Sequence, residues 1–296
     1  MHITPPKNLA QCVFGATASI ICAVPAYADP FSFSTGAPDG KIATLSRTAS
    51  TGKLETETAD DFVTTAPTTI TNATFTGLLV GGATIANVRD VEIELYHVFP
   101  IDSANPPDGR VATRANSPSD NNFAAADALA GQLTYSPTIL NTSFTAANSV
   151  VNGINPAPNQ FTGGEGAVTG TEVQFSIAFT TPIALGADHV FFRPEVDLGS
   201  AGDFLWLSAP KPIVAPGTPF APDLQSWIRN DGTGALAPDW ERIGTDVTAQ
   251  GPFNAAFSLT GQTVAAVPEP ATSAFLLLGL GALGIVTRRT RRVREP

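Results

Sequence analysis

Cysteine is nearly absent from the 296-residue chain. There are two, Cys12 and Cys22, and none in 29–266. That stretch therefore has no structural disulfide, no cysteine-ligated zinc and no thiol catalysis. Charge is also scarce, at 14% of residues, and unevenly placed. Six of the 16 basic residues but only two of the 26 acidic ones lie outside 29–266, which leaves a net charge of −14 within it. Such a surface repels phosphate backbones and excludes nucleic acid as a partner. Histidine is limited to three residues, of which His97 and His189 fall in the middle of the chain. Without an H-E-x-x-H pair, zinc chemistry lacks its ligands. No G-x-S-x-G elbow supports a serine hydrolase. His97 and His189 read as hydrogen-bonded structural residues. Between the two chain ends no long stretch has a 3.6-residue apolar period, so helices are not expected there.

Short strands are present instead. Val91–Phe99 alternates, with Val91, Ile93 and Leu95 on one face and Glu92 and Glu94 on the other. Glu172–Phe179 alternates more cleanly, and Thr68–Leu79 is rich in β-favouring Thr. Val190–Val196, Phe204–Leu207, Ser226–Arg229 and Phe253–Leu259 are further strands, separated by the long loops Ile101–Asn122, Ala146–Gly170 and Ala209–Asp223. The pattern predicts an all-β fold, an antiparallel β-sandwich of jelly-roll type over 29–261. A linker, 262–266, follows.

Both ends differ from this domain. Met1–Ala28 reads as a cleaved signal peptide, with Lys7 in front of an apolar run and Ala26-Tyr27-Ala28 as the small-residue site before Asp29. Bulky Ile21 before Cys22 argues against a lipoprotein. At the other end, Val267-Pro268-Glu269-Pro270 precedes an apolar stretch, 271–287, and then Arg288, Arg289, Arg291, Arg292 and Arg294. Seventeen helical residues span about 25 Å, the short limit for a single transmembrane helix. The arginines place its C-terminal end in the cytoplasm and the domain outside the inner membrane. Gly279–Gly284 fits G-x-G-x-x-G by letters, but inside an apolar span its glycines serve close helix packing and not a dinucleotide.

The Pro-Glu-Pro triplet, the short apolar span and the terminal arginines together resemble the PEP-CTERM sorting tail, also called the ice-binding protein C-terminal domain. The resemblance covers 267–296. It implies processing by exosortase, a membrane-embedded cysteine transpeptidase-like enzyme of Gram-negative bacteria that accompanies exopolysaccharide production. On that basis Pro268, Glu269 and Pro270 form the recognition motif. Ala59-Asp60-Asp61-Phe62, with the later Thr-rich and VEIELY strands, more loosely resembles β-sandwich ectodomains of such proteins.

Chemistry in the domain is thinner. Asp60 and Asp61 are calcium candidates, with Asp197 or Asp203 as further oxygen donors, although no D-x-D-x-D-G loop is present. Glu92 and Glu94 read as a solvated strand face and not a glycosidase pair. Trp206 and Trp227 read as core, and Trp240, between Asp239 and Glu241, as the exposed aromatic able to stack on a sugar. The sequence thus predicts a non-enzymatic, cofactor-free protein that uses signal peptidase and the export machinery. It would be an inner-membrane precursor and then a cell-surface or extracellular component, structural or adhesive and linked to exopolysaccharide or biofilm. A surface-displayed carbohydrate-active enzyme and a glycan- or ice-binding module are the alternatives. Two facing carboxylates in a cleft would favour the enzyme, a flat Thr array ice, and an exposed aromatic strip a glycan.

Overall fold

In an extended chain, side chains two apart point the same way, so strands with apolar residues at alternate positions have one face to bury. The domain is assembled from such strands. The computed structural model describes residues 28–50, 52–99, 116–151, 161–210, 224–230 and 240–264, and Ala28–Ala265 forms one compact unit. Ala26, Pro268, Glu269, Pro270, the span 271–287, and Arg288, Arg289, Arg291 and Arg292 lie outside the described residues. Among the described residues no helix is long and apolar enough to cross a membrane.

The described residues are all-β. In chain order the strands are β1 (Pro30–Ser34), β2 (Ile42–Leu45), β3 (Thr56–Thr64), β4 (Thr68–Val80), β5 (Asp90–Val98), β6 (Pro118–Asp127), β7 (Leu133–Ala146) and β8 (Asn148–Val150). They continue as β9 (Val168–Leu185), β10 (Asp188–Asp197), β11 (Asp203–Ala209), β12 (Trp227–Asn230), β13 (Glu241–Arg242), β14 (Asn254–Ala255) and β15 (Phe257–Thr263). One sheet of nine strands runs β1-β15-β4-β11-β2-β8, with β9 also on β4, β7 on β9, and β14 on β11. The other runs β13-β12-β3-β10-β5-β6. These pairings are antiparallel with one exception, β2 with β8. Only Ala147 separates β7 from β8, too little chain for a reversal, so the backbone meets β2 in the direction it already runs.

The main core draws on both sheets. Phe62, Ile93, Leu95, Val190 and Phe192 come from the six-stranded sheet, and Phe75, Phe175, Ile177, Trp206 and Phe257 from the nine-stranded one. Phe192 stacks on Phe257 with ring centroids 5.1 Å apart, and Phe75 on Phe175 at 5.0 Å. The buried Trp206 indole N–H donates to Ala256 O at 2.9 Å, so the largest core side chain leaves no donor unpaired. Each such aromatic contributes roughly 1.5–3 kcal/mol through burial. The first and last strands are neighbours. Asp29 N–H donates to Thr263 Oγ1 at 3.1 Å and Thr263 N–H to Asp29 O at 2.8 Å. The residue that follows the expected leader therefore sits beside the end of the last strand.

Gly77 on β4 marks a close inter-strand approach beside this core. A Cβ there would lie 2.4 Å from both Leu205 O and the Phe204 ring, and both neighbours are fixed by the sheet and the core. Gly77→Ala is expected to destabilise the fold by roughly 1–3 kcal/mol, read as a fall of several degrees in melting temperature. An unchanged melting temperature would show that β4 and β11 can separate at no cost.

Candidate functional site

The outer face of the six-stranded sheet carries the domain's densest set of described charges. On β10, Phe191, Arg193 and Glu195 point away from the main core, opposite Tyr96, Glu94 and Glu92 of β5 in the antiparallel register. On β12, Arg229 lies opposite Glu57 of β3. Arg193 Nη2 donates to Glu57 Oε1 at 2.6 Å and to Glu55 Oε1 at 2.8 Å, and lies 3.3 Å from Glu94 Oε2. Its Nη1 is 3.0 Å from Glu195 Oε2. The other Glu57 oxygen accepts from Arg229 Nε, and the Tyr96 hydroxyl donates to Glu94. Trp240 closes the group: its ring packs edge-on against Tyr96, Arg229 lies over it at 4.5 Å, and its indole N–H donates to Ser119 O.

Four carboxylates thus compete for one guanidinium, and their ionisation splits. Burial opposes charge on Glu57, but Arg193 and Arg229 outweigh it and hold that carboxyl down at about 2. Burial drives Glu195 well above the usual carboxylate range. Arg193 opposes this, while Glu55, Glu57 and Glu92 reinforce it. Neither Glu195 oxygen accepts a hydrogen bond among the described residues. Two carboxyls pushed apart in this way can act as acid and base when substrate reaches them. Here Glu195 is 0% and Glu57 2% exposed. The arrangement joins strands and presents neither group to solvent.

Several expectations from sequence are corrected by this geometry. Glu92 and Glu94 are half-buried, and Glu94 belongs to the Arg193 cluster and is not a free solvated face. Trp240 is 1% exposed, because the cation and ring above and beside it outweigh its polar sequence neighbours. Asp60 and Asp61 are adjacent on β3 and so point to opposite faces. Asp60 accepts from Ser226 Oγ and Ala255 N, whereas Asp61 meets His189 Nε2 at 2.5 Å. They do not share a site. Asp203 is held by Arg47 and Lys53. Among the described residues no group of three His, Cys, Asp or Glu is placed to hold a metal ion. His97 pairs with Asp188 Oδ2 at 2.8 Å, and Trp206 and Trp227 are buried, as their sequence contexts indicate.

The opposite outer face was not singled out by any motif. Across β1, β15, β4, β9 and β7 the register aligns Ser34, Ser258, Thr74, Ser176 and Ser136 in one row. A second row holds Ser32, Thr260, Asn72, Ala178 and Thr134, and a shorter third holds Thr76, Gln174 and Thr138. None of these side chains is ionisable. Most are exposed, Thr76 being buried, and Thr74 Oγ1 lies 2.7 Å from Ser258 Oγ. The signal in sequence was the small polar residue alternating with the core residues Ala73, Phe75, Phe175 and Ile177.

Residues 266–292 match the PEP-CTERM protein-sorting motif. The motif is that of exported, surface-directed proteins with exosortase as processing partner. No curated protein and no solved structure matches the chain.

The charge cluster makes two carboxyls respond oppositely. Glu57→Gln leaves two buried guanidinium groups short of a partner and is expected to cost roughly 3–5 kcal/mol in urea unfolding at neutral pH. Glu195→Gln removes a carboxyl whose burial disfavours its charged form and is expected to cost no more than about 1 kcal/mol. With its folded value lowered from 4.5 to about 2, Glu57 contributes stability above pH 4.5, lost as pH falls through that window and worth roughly 3 kcal/mol. Glu195, raised, acts in the other sense, costing stability as pH rises above 4.5. Equal losses in the two variants would contradict the assignment.

Proposed function

We propose that the protein is a non-catalytic structural or adhesive component of the cell surface or extracellular matrix, linked to exopolysaccharide or biofilm. Its two sheets around one core are read as a β-sandwich of jelly-roll type. In this reading signal peptidase removes Met1–Ala28 after export, and the precursor is held by one span, 271–287, in the inner membrane. Exosortase then cuts near Pro268-Glu269-Pro270 and frees the domain. The observation that carries the reading is the sorting motif at 266–292, placed after a thiol-free, acidic domain. The charged side chains that could have served as acid and base support a passive role, since they are buried and paired with arginine. A surface-displayed carbohydrate-active enzyme is the second reading, and the opposed ionisation of Glu57 and Glu195 is what favours it. It would require the Trp240 side of the cluster to open.

Pro268 and Pro270 lack backbone N–H donors and keep the motif extended, which suits it to an enzyme cleft. Glu269 supplies the one charge that separates it from an ordinary proline-rich linker. Glu269→Ala, or loss of the host's exosortase, is expected to leave full-length protein in the inner-membrane fraction while wild type reaches the outer surface or the medium. The same C-terminus and fractionation for mutant and wild type, read by mass spectrometry and immunoblot, would reduce the tail to a plain anchor.

A further inference from the structure

Away from the Arg193 cluster, a second carboxylate keeps a buried oxygen without a donor. Asp39 lies just before β2, and its side chain is 10% exposed. Its Oδ1 accepts from Lys41 N–H at 3.0 Å and from Ser208 Oγ at 2.5 Å. Its Oδ2 accepts no hydrogen bond among the described residues, the Lys41 ammonium standing off at 3.3 Å. Asp39 also lines a cavity of about 220 Å³ set between the start of β2, the end of β11 and the turn before β14. We infer that this cavity binds one ring of a neutral sugar. That gives the matrix-protein reading above, on which it rests, a site and a class of ligand.

The polar groups of the cavity disfavour a charged ligand. Lys41 lines it too, with a side chain 70% exposed. A cation that reached Asp39 would meet that ammonium, and an anion that reached Lys41 would meet the carboxylate. A neutral hydroxyl meets neither penalty, because it can donate to Asp39 Oδ2 and accept from Lys41. Gln250 adds further donors. Its side-chain oxygen accepts from Asn148 Nδ2 at 2.9 Å, which leaves the N–H groups of the same amide for a ligand. A buried acceptor without a donor is costly, so the hydroxyl that reaches Oδ2 makes the decisive contact.

The rest of the wall is apolar, with Ile42, Pro252 and Phe253 among its lining residues. A sugar ring carries hydroxyls around its rim and C–H groups on its faces, the same division of polar and apolar contacts that this cavity offers. Its volume of about 220 Å³ is below the roughly 300–1,000 Å³ of sites for drug-sized ligands, so it admits one ring and not an oligomer. The turn that carries Gln250 is held in place. Ala249 stands in the left-handed region at φ 56°, and Gly251 N–H donates to Gly244 O at 2.9 Å. A residue with a Cβ keeps that conformation only where its surroundings fix it. A fixed rim leaves less ordering to be lost on binding.

The test is saturation-transfer NMR titration of the secreted protein. D-Glucose, D-galactose and D-mannose serve as neutral probes, and D-glucosamine and D-glucuronate as charged rings of the same size. Saturable binding of at least one neutral sugar is expected, with a Kd on the order of 1 mM, and at least tenfold weaker binding of both charged rings. Asp39→Asn puts an N–H donor where the ligand needs an acceptor and is expected to weaken binding at least tenfold. Gln250→Ala, at an exposed position, is expected to weaken it at least threefold, and Leu129→Ala, at an exposed turn outside the cavity, to leave it unchanged. Circular dichroism checks that each variant melts as wild type does, and Gln250→Ala decides the matter if Asp39→Asn does not. No saturable binding of any neutral sugar, tighter binding of a charged ring, or full binding in the variants would overturn the inference. Correct surface delivery with any of those outcomes would reject this inference alone, whereas failed delivery would reject the underlying reading.

Discussion

The buried guanidinium of Arg193 is the constraint on which the second sheet depends. It is 2% exposed and meets carboxylates from β10, from β5, and from β3 with the residue just before it. Glu57 passes the connection on to Arg229 and so to β12. A buried charge stripped of its partners costs several kcal/mol, so the register that supplies all of them is strongly favoured over its neighbours. A slip of one residue in β10 would turn Arg193 and Glu195 into the aromatic core and Phe192 out of it. Charge here serves specificity of pairing, while the stacked rings of Phe192 and Phe257 supply the burial that stabilises the two sheets against each other.

Consequences follow for the two outer faces. One holds its charges inside, covered by Trp240, with burial pushing the Glu195 carboxyl well above the usual range. The other is exposed and neutral, with hydroxyls at the spacing of the strands. The two outer faces thus differ in what they present to solvent, one closed over its charges and one open and neutral. The pairing of Asp29 with Thr263 fits the same economy, since it places the start of the domain beside the end of its last strand.

Much of the sheet was legible in sequence where alternation was clean. Val91–Phe99 and Glu172–Phe179 became β5 and the centre of β9, and Thr68–Leu79 became β4 almost unchanged. The tail was legible because three parts of distinct chemistry occur in fixed order. Strand β3, Thr56–Thr64, was not, because both of its faces are buried and most of its residues are polar. Glu57, Asp60 and Asp61 are tolerated there through partners such as Arg193, Ser226 and His189, more than a hundred residues away. Strand β7 was hidden for the opposite reason: one edge strand, bulged and largely exposed, has little apolar period to read. Trp240 misled because its neighbours in sequence are polar while its neighbours in space are Tyr96 and Arg229.

The Arg193 cluster is read as a closed structural lock in which Glu195 ionises well above the usual carboxylate range. Carbon-detected NMR of glutamate side-chain carboxyls, followed from acid to neutral pH, measures this directly. Glu57 is expected to titrate near 2 and Glu195 well above the usual carboxylate range, with both resonances insensitive to added oligosaccharide. A Glu195 carboxyl that ionises in the ordinary range near 4.5, or that shifts when oligosaccharide is added, would contradict it and return the cluster to the status of an open acid–base site.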